Sequence, residues 1–402
     1  DWGDGSPLQT EVLGSANFSF MHTYADDGDS DTDIFRYPVN VTLTDGMAAD
    51  VEQVELSAYV TNVAPLLSHL VTSAIFEGDF AMLSGQVDDP GVLDTFTLEV
   101  NWGDVFSPEN QQTIELGSSP INDEGVTWDP QTNEFTLEHQ YLDDNPTQTP
   151  SDDYVIQLAV TDDDRGQGEA TSGVTVNNVA PSAVLEINAT LADDITQFNP
   201  VVISGEILDV GQLDQHTVDI EWGDGSITHL NGIDDGLNTQ TRQFSADHVY
   251  ATGGIFEVAV RIKDDDTGVT TQYVVGYVSG ARLTTEGIVQ IVGSDGRDRI
   301  RLTTQGARYQ LSMRMANLAW QRLYFDQELV DRVEVLLRQG DDQFLSRSTV
   351  AAPMRVTGGE GSDVITTGAA DDVVEDFAGN NRILTFGGND QVVTGIGNDR
   401  IQ

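Results

Sequence analysis

The stretch "GGEGSDVIT" (Gly358–Thr366) is followed by "TGAADDVVE", "DFAGNNRIL", "TFGGNDQVV" and "TGIGNDRIQ", so nine-residue phrases repeat in one register. The fourth column is small (Gly361, Ala370, Gly379, Gly388, Gly397), the sixth is acid or amide (Asp363, Asp372, Asn381, Asp390, Asp399), and the eighth is branched and apolar (Ile365, Val374, Ile383, Val392, Ile401). A glycine turn before a very short strand with one inward side chain fits this pattern. Because one copy cannot bury a face alone, the copies are predicted to stack into a parallel β-roll or β-helix.

These columns resemble the hemolysin-type, or RTX, repeat G-G-x-G-x-D-x-U-x. The resemblance implies a β-roll with two nonapeptides per coil, so residues 18 apart stack at about 4.8 Å. It also implies that calcium ions (Ca2+) take carboxylates from the sixth column and carbonyl oxygens from the glycine turns. We expect Asp372 with Asp390 to be the best site. Departures from the repeat are expected to weaken the others: Asn381 removes a charge, Ala370 strains its turn, and Phe377 and Phe386 replace second-column glycines.

Carboxylates stacked at that distance repel each other by about 1 kcal/mol in water and by roughly 3 to 4 kcal/mol at an effective dielectric constant of 20. A hard divalent cation between turns would remove this repulsion, and calcium accepts an irregular oxygen cage better than magnesium does. The alternative is a metal-free β-helix in which the aspartates and asparagines only form turns.

Isolated copies of the phrase precede the regular array, "GSDGRDRIR" at Gly293 and "GDDQF" at Gly340. We interpret residues 281–357 as irregular β coils that lead into the regular nonapeptides of 358–402. Ile300 and Phe344 then belong to the inward column. Asp298 is a further candidate metal ligand, as is Asp342.

Three related units precede the roll. "DWGDGS" at Asp1, "EVNWGD" at Glu99 and "IEWGDGS" at Ile220 are each followed by a His-x-Tyr, at His22, His139 and His248. Each His-x-Tyr leads into a strand whose apolar residues alternate, which predicts a half-buried antiparallel strand. The predicted buried faces are Tyr37, Val39, Val41 and Leu43 in the first unit, Tyr154, Ile156, Leu158 and Val160 in the second, and Phe256, Val258, Val260 and Ile262 in the third. Trp102 and Trp222 fall on apolar faces and are predicted to be core residues. The sequence therefore predicts a string of sandwiches, partial at 1–62 and complete at 63–178 and 179–280.

In these motifs the units resemble the PKD family of immunoglobulin-like modules. The first unit lacks its N-terminal strands, and "WGDVFS" in the second loses the turn glycine, which predicts an insertion in that hairpin. The resemblance implies modules that act as spacers or contact proteins or carbohydrates outside cells, none of them a known site of catalysis. The whole chain is thus expected to be all-β: tandem immunoglobulin-like sandwiches, then a parallel β-roll over 281–402.

Charge divides the chain at the same place. The formal net charge is −49, of which residues 1–280 carry −45 and residues 281–402 carry −4. A field this negative repels phosphate backbones, so it excludes nucleic acid as a partner of the sandwiches and favours divalent cations. The alternative is the acid-rich solvation of a salt-adapted spacer. Cysteine is absent, so any metal is held by oxygen or histidine.

Acids outside the roll cluster on loops. "DDGDSDTD" (Asp26–Asp33) looks like the first half of an EF-hand loop, but it lacks the turn glycine and the final acid, so we expect a solvated loop. The triplets Asp162–Asp164 and Asp264–Asp266 are interpreted as turn formers, with calcium at the domain joint as the alternative. The histidines beside tyrosines are interpreted as structural. Because no catalytic motif occurs, we expect no enzymatic activity.

We interpret the chain as part of a secreted or cell-surface modular protein that binds calcium and is adhesive or structural. It begins inside a sandwich motif and ends on a ninth repeat position, so we expect it to be a piece of a longer protein. No run of 18 apolar residues predicts a membrane span. The alternative is the non-catalytic C-terminal region of a secreted protease or polysaccharide-degrading enzyme.

Overall fold

The structure, a computed structural model, describes residues 1–15, 17–28, 34–45 and 51–402. The described chain is built from strands and contains no α-helix; two short 3-10 turns lie at Ile233–Asp235 and Gln327–Leu329. It divides into two compact units. One holds residues 1–179, 210–214 and 265–268, and the other holds residues 180–209, 215–264 and 269–402.

The first sequence unit contributes one antiparallel hairpin among its described residues. Strands β1 (Ile34–Thr44) and β2 (Val51–Thr61) pair from Ile34 with Thr61 to Thr44 with Val51. Tyr37 and Val39 are buried on this hairpin as predicted. Leu43 is 49% exposed, contrary to the prediction, because the rings of Tyr24 and Phe35 that contact Tyr37 lie at the other end of β1.

The second sandwich has two five-stranded sheets, with strand orders β3-β5-β10-β9-β8 and β4-β12-β11-β6-β7. Its strands are β3 (Leu66–Val71), β4 (Ile75–Phe76), β5 (Phe80–Asp88), β6 (Phe96–Asn101), β7 (Gln111–Leu116), β8 (Ile121–Asp123), β9 (Val126–Asp129), β10 (Glu134–Gln140), β11 (Ser151–Asp162) and β12 (Gln167–Asn177). The alternating face of β11 (Tyr154, Ile156, Leu158, Val160) is buried in the core between the sheets, as predicted.

The third sandwich has two four-stranded sheets, with strand orders β13-β14-β18-β17 and β16-β15-β19-β20. Its strands are β13 (Ser182–Ile187), β14 (Pro200–Leu208), β15 (Thr217–Glu221), β16 (Ile227–Leu230), β17 (Leu237–Asn238), β18 (Gln243–Val249), β19 (Gly254–Lys263) and β20 (Val269–Val278). Five residues separate β15 from β16, whereas nine separate β6 from β7, so the predicted insertion after Trp102 is present.

One aromatic network recurs in all three units and explains the paired W-G-D and H-x-Y motifs. In the second sandwich His139 stacks on Trp102 at 5.1 Å between ring centroids, and its Nε2 lies 3.2 Å from an Asp104 carboxylate oxygen. The Tyr141 hydroxyl donates a buried hydrogen bond to the Trp102 carbonyl at 2.8 Å. The same contacts join Trp2, Asp4, His22 and Tyr24, and Trp222, Asp224, His248 and Tyr250. These histidines therefore belong to the sandwich framework.

Two sheets form the β-roll, with strand orders β21-β22-β26-β28-β30-β32 and β25-β24-β23-β27-β29-β31-β33. Its strands are β21 (Gly280–Leu283), β22 (Ile288–Val292), β23 (Arg299–Gln305), β24 (Arg308–Arg314), β25 (Gln321–Asp326), β26 (Arg332–Gln339), β27 (Gln343–Ser346), β28 (Met354–Glu360), β29 (Val364–Thr366), β30 (Val373–Ala378), β31 (Arg382–Leu384), β32 (Gln391–Ile396) and β33 (Arg400–Ile401).

Parallel pairing sets the length of each coil of the roll. Ile288 pairs with Arg332 and Val333 with Met354, so the first coils take 44 and 21 residues; the hairpin β24-β25 lengthens the first. Later coils take 18 residues, as predicted. Ile300, Phe344, Ile365, Val374 and Ile383 are buried in one core, while Val392 is only partly buried and Ile401 is half-exposed on the last coil.

We predict that Tyr141→Phe and Tyr250→Phe each lower the free energy of unfolding by about 1 to 3 kcal/mol, because each leaves a buried tryptophan carbonyl without its hydrogen bond. Tyr59→Phe, at a tyrosine that is 69% exposed, is the matched control and is expected to have little effect. Denaturant unfolding of the full chain measures this. Equal stability of all three variants would contradict a framework role for the network.

Candidate metal centre

One edge of the roll carries a ladder of sixth-column residues. The amide nitrogen of Asp342 donates to Oδ1 of Asp363 at 2.7 Å, that of Asp363 to Oδ1 of Asn381 at 2.9 Å, and that of Asn381 to Oδ1 of Asp399 at 2.9 Å. The ladder extends backwards, since the amide of Asp298 donates to Oδ1 of Asp342 at 2.7 Å. The structure thus places both isolated copies of the phrase in register with the regular array.

The opposite edge carries a shorter ladder. Oδ1 of Asp372 accepts the amide of Met354 at 2.8 Å, and Oδ1 of Asp390 accepts the amide of Asp372 at 2.9 Å. Oδ2 of Asp372 accepts the amide of Gly368 at 3.0 Å. On both edges, therefore, an amide donor separates successive carboxylates. These donors offset part of the repulsion that bare stacking of carboxylates predicts.

The fourth-column glycines stack beside the ladders. Gly361, Gly379, Gly388 and Gly397 all have positive φ, between +105° and +149°. A Cβ at Gly379 would collide with the carbonyl oxygen of Gly361, and a Cβ at Gly388 would collide with that of Ala370. This column therefore needs glycine for backbone conformation and for close packing of the coils. Ala370 is absent from the positive-φ residues of the described chain, so the predicted strain in its turn is wrong.

Several carboxylate oxygens on the first edge have no hydrogen-bond donor within the described part of the chain. They are Oδ2 of Asp342, Oδ2 of Asp363 and both oxygens of Asp376. All three side chains are at most 2% exposed. Buried carboxylate oxygens are normally paired, because an unpaired charge in a low-dielectric site is costly. This set of oxygens fits a hard cation such as calcium.

Asp298 differs from the other members of this ladder. Its Oδ1 accepts the Ser294 hydroxyl at 2.6 Å and the Ala316 amide at 2.7 Å, and its Oδ2 accepts the Ser294 amide at 2.6 Å. Both oxygens thus already have protein donors. Asp298 fits a cation less well than Asp342 or Asp363 does. Asp372, in the pair expected to be the best site, also has a donor on each oxygen, so the first edge offers more unpaired oxygens than the second.

Sequence reasoning missed Asp376. It stands in the first column, where the other copies have Gly358, Thr367, Thr385 and Thr394. Its side chain is fully buried, and a Cβ at Gly358 would meet the carboxylates of both Asp376 and Asp363. An acid in a column of glycine and threonine was the available signal. Phe377, beside it, and Phe386 are each at least half-exposed.

Burial dominates the electrostatics of this edge. It raises the pKa of Asp342 to about 8, with the charges of Asp298 and Asp363 adding to the effect. Burial likewise raises the pKa of Asp363 to about 6, and burial with the charge of Asp363 raises the pKa of Asp376 to about 7. The pKa of Asp372 is also raised, mainly by burial. Without a cation, the folded roll therefore disfavours the charged carboxylates.

Among known protein families, one matches the regular coils of the roll. The family model for the RTX calcium-binding nonapeptide repeat (four copies) matches residues 355–375 and 378–401. The regular coils of the roll therefore match the RTX nonapeptide repeat. No curated protein matches the chain.

Three solved structures match the chain at low identity and low TM-score. A tetra-tandem repeat from the extending region of a large adhesion protein has 12% identity and a TM-score of 0.34, over 72% of this chain and 70% of that one. A marsupial T cell receptor has 13% identity and a TM-score of 0.23, over 63% of this chain and 82% of that one. A protein of Corynebacterium diphtheriae described as membrane-anchored has 9% identity and a TM-score of 0.23, over 70% of this chain and 68% of that one.

We predict that Gly388→Ala lowers the free energy of unfolding by about 2 kcal/mol or more, because alanine there meets both positive φ and a backbone carbonyl. The adjacent Gly387→Ala is the matched control. A Cβ at Gly387 finds only ordinary contacts, at 3.8 Å and 3.9 Å, and the position lacks positive φ. Calorimetry of both variants in calcium measures the difference. Equal stabilities would show that the turn column does not require glycine.

We predict that the calcium-free chain gains stability as the pH falls. Groups whose pKa is raised on folding bind protons more tightly in the folded state, and this proton binding stabilises the fold. The stabilisation is complete below pH 3.8, the ordinary pKa of these aspartates, and is lost as the pH rises through about 6 to 8. Thermal unfolding in chelator between pH 8.5 and pH 5, roughly this titration window, measures the trend. Asp342→Asn is expected to flatten it. An unchanged pH dependence in that variant would contradict the assignment.

Proposed function

We propose that this chain is a calcium-binding, extracellular region of a modular protein, in which calcium completes the fold of the roll. The observation that carries the proposal is the pair of edge ladders with buried carboxylate oxygens. On the first edge the side chains that would hold calcium are those of Asp342, Asp363, Asp376, Asn381 and Asp399. On the second edge they are those of Asp372 and Asp390, and the glycine turns at Gly361, Gly379, Gly388 and Gly397 would add carbonyl oxygens. Bound calcium supplies the positive charge that these buried oxygens lack.

Folding and metal binding are coupled in such an array. The ladder oxygens come from residues 18 apart, so they meet only when successive coils have stacked. A site that does not exist in the unfolded chain contributes its binding free energy to folding. Such a chain stays weakly folded where calcium is scarce and folds where calcium is abundant. This dependence supports a location outside the cell, either secreted or at the cell surface.

We propose a spacing and contact role for the sandwiches, as PKD-like modules. The support is the recurrent Trp, Asp, His and Tyr network, which accounts for both diagnostic motifs in each unit. We also propose that the described chain is not an enzyme. Its motif histidines are stacked on tryptophan and held by aspartate, so they are committed to the framework. Among the described residues, no helix is both long and apolar enough to cross a membrane.

Calcium titration of the full chain, followed by hydrogen exchange of peptides from residues 340–402, tests the proposal. We expect protection of these peptides to rise with calcium but not with magnesium at the same ionic strength. Asp372→Ala/Asp390→Ala should weaken the response, because it removes both carboxylates of the second ladder. Glu328→Ala/Glu360→Ala removes two exposed acids of the roll and is the matched control.

Two results would contradict this function. Full protection of residues 340–402 in chelator, with no response to calcium, would make the repeat a metal-free scaffold. Equal stabilisation by monovalent salt would favour a salt-adapted spacer.

A further inference from the structure

Acidic side chains also converge at the ends of the first two sequence units, far along the chain from the nonapeptides. The first cluster contains Asp26, Asp27, Asp94 and Asp164, whose ligand oxygens all lie within 4.8 Å of one another. The second cluster consists of two overlapping groups that meet the same distance limit: Glu77, Asp143 and Asp214, and Asp143, Asp144 and Asp266. Every member of both clusters belongs to the compact unit that contains the second sandwich.

The two clusters are copies of one arrangement. In each, an aspartate pair follows the His-x-Tyr motif, a second acid ends a Gly-x-x-Asp loop, and a third ends an aspartate triplet. The loop is fastened in the same way, since Val92 N donates to Ala25 O at 3.1 Å and Gln212 N donates to Leu142 O at 2.9 Å.

A tyrosine fixes the first acid of the aspartate pair in both copies. The Tyr37 hydroxyl donates to Asp26 O and the Tyr154 hydroxyl donates to Asp143 O, each at 3.2 Å. Two independent sets of residues have thus been brought to the same juxtaposition of carboxylates.

The aspartate pair points a buried carboxylate into each cluster. Asp144 is fully buried, and neither of its oxygens has a hydrogen-bond partner in the part of the chain that the structure describes. Asp27 occupies the equivalent position, is 4% exposed, and leaves Oδ2 without a described partner. A buried carboxylate without a donor is rare in folded proteins because its desolvation is uncompensated. A cation is the partner that would satisfy it.

Glycine lets the loop acids fold back into the clusters. A Cβ at Gly91 would collide with the carboxylate of Asp94, and a Cβ at Gly211 would collide with that of Asp214. Burial, with nearby negative charges, raises the pKa of an acid in each cluster. Burial and neighbouring carboxylates, chiefly Asp89, raise the pKa of Asp94 to about 8. Burial, then Asp266 and Asp143, raise the pKa of Asp144 to about 7.

We propose that the two clusters are divalent-cation sites of the calcium class, one at each of these sandwich ends. The donors named in each cluster are all carboxylate oxygens, which are hard ligands, and they come from loops that can form an irregular cage of the kind calcium accepts. A bound ion would tie residues 89–94 and 162–164 to the end of the first unit, and residues 210–214 and 265–268 to the second sandwich. This proposal does not depend on calcium in the roll.

The third sandwich supplies a built-in comparison. After its His-x-Tyr motif and the one intervening residue, Thr252 and Gly253 stand where the other two units have an aspartate pair. The acid pair is therefore not required by the turn that ends this strand, since the third sandwich forms the same aromatic network without it.

The clusters also revise the expectation for Asp26–Asp33. Asp27 is buried in the first cluster, so a solvated loop is wrong for this residue, while Asp29, Asp31 and Asp33 lie outside the described residues. The triplets Asp162–Asp164 and Asp264–Asp266 do form turns at strand ends, and each contributes its last acid to a cluster.

Calcium binding by the full chain, measured by equilibrium dialysis with metal analysis, tests the proposal. Asp27→Asn/Asp144→Asn removes one central carboxylate from each cluster, and we expect the chain to bind about two fewer ions, one per site. Asp123→Asn/Glu124→Gln makes the same charge change at two exposed residues and is the matched control. Gly211→Ala, which displaces Asp214, is expected to weaken only the second site.

Thermal stability separates a cation site from a structural role of the same acids. In calcium, Asp27→Asn/Asp144→Asn should melt below the parent chain because bound ions are lost. In chelator it should melt at or above the parent because buried, repelling charges are gone. An unchanged ion count, or equal destabilisation with and without calcium, would overturn the proposal.

The roll variant Asp372→Ala/Asp390→Ala is measured in parallel, and its loss of ions should add to that of the sandwich variant, since distant sites act independently. Loss in the roll variant alone would overturn the sandwich sites and leave the proposed function standing. Loss in the sandwich variant alone would do the reverse.

Discussion

This structure depends on one constraint: the fold buries more carboxylate oxygens than its own hydrogen-bond donors satisfy. The chain carries −49 in 402 residues, and many of its acids are exposed, where water solvates them at little cost. A smaller set is buried: Asp342, Asp363 and Asp376 in the roll, and Asp27 and Asp144 in the sandwich clusters. Each retains at least one oxygen without a donor among the described residues. Cation binding would satisfy these oxygens and stabilise the fold at those places.

The roll and the sandwiches reach this condition by different routes. In the roll, one nonapeptide phrase places an acid every nine residues, and parallel stacking brings acids 18 apart together on each edge. Amide donors between the rungs hold the ladder in register, and Asn381 supplies an uncharged rung between Asp363 and Asp399. In the sandwiches, three loops that are distant in sequence converge at the ends of the first two sequence units. Both routes gather hard oxygen donors from chain segments that meet only after folding.

In the sandwiches, the aromatic network belongs to the core, whereas the acid pairs lie on the turns that follow it. His139 and His248 stack on buried tryptophans, and the tyrosines two residues later bond to the carbonyls of those tryptophans. Because this network ends directly before the turn with the acid pair, it fixes the position of Asp143 and Asp144 in the second sandwich. The aromatic contacts thus position the turn that carries these buried carboxylates. The third sandwich keeps the network and lacks the pair, so the two features are separable.

Sequence patterns alone determined the all-β class, the inward columns of the roll, the 18-residue coil and the tryptophan cores, because period two and period nine are local and repeat. The same patterns identified both ladders, since Asp372 and Asp390 are one coil apart. They missed Asp376, wrongly predicted strain at Ala370, and wrongly placed Asp27 in a solvated loop. Only the tertiary structure decided which acids are buried and which loops converge on Asp27 and Asp144, because burial and convergence depend on contacts between residues distant in the chain.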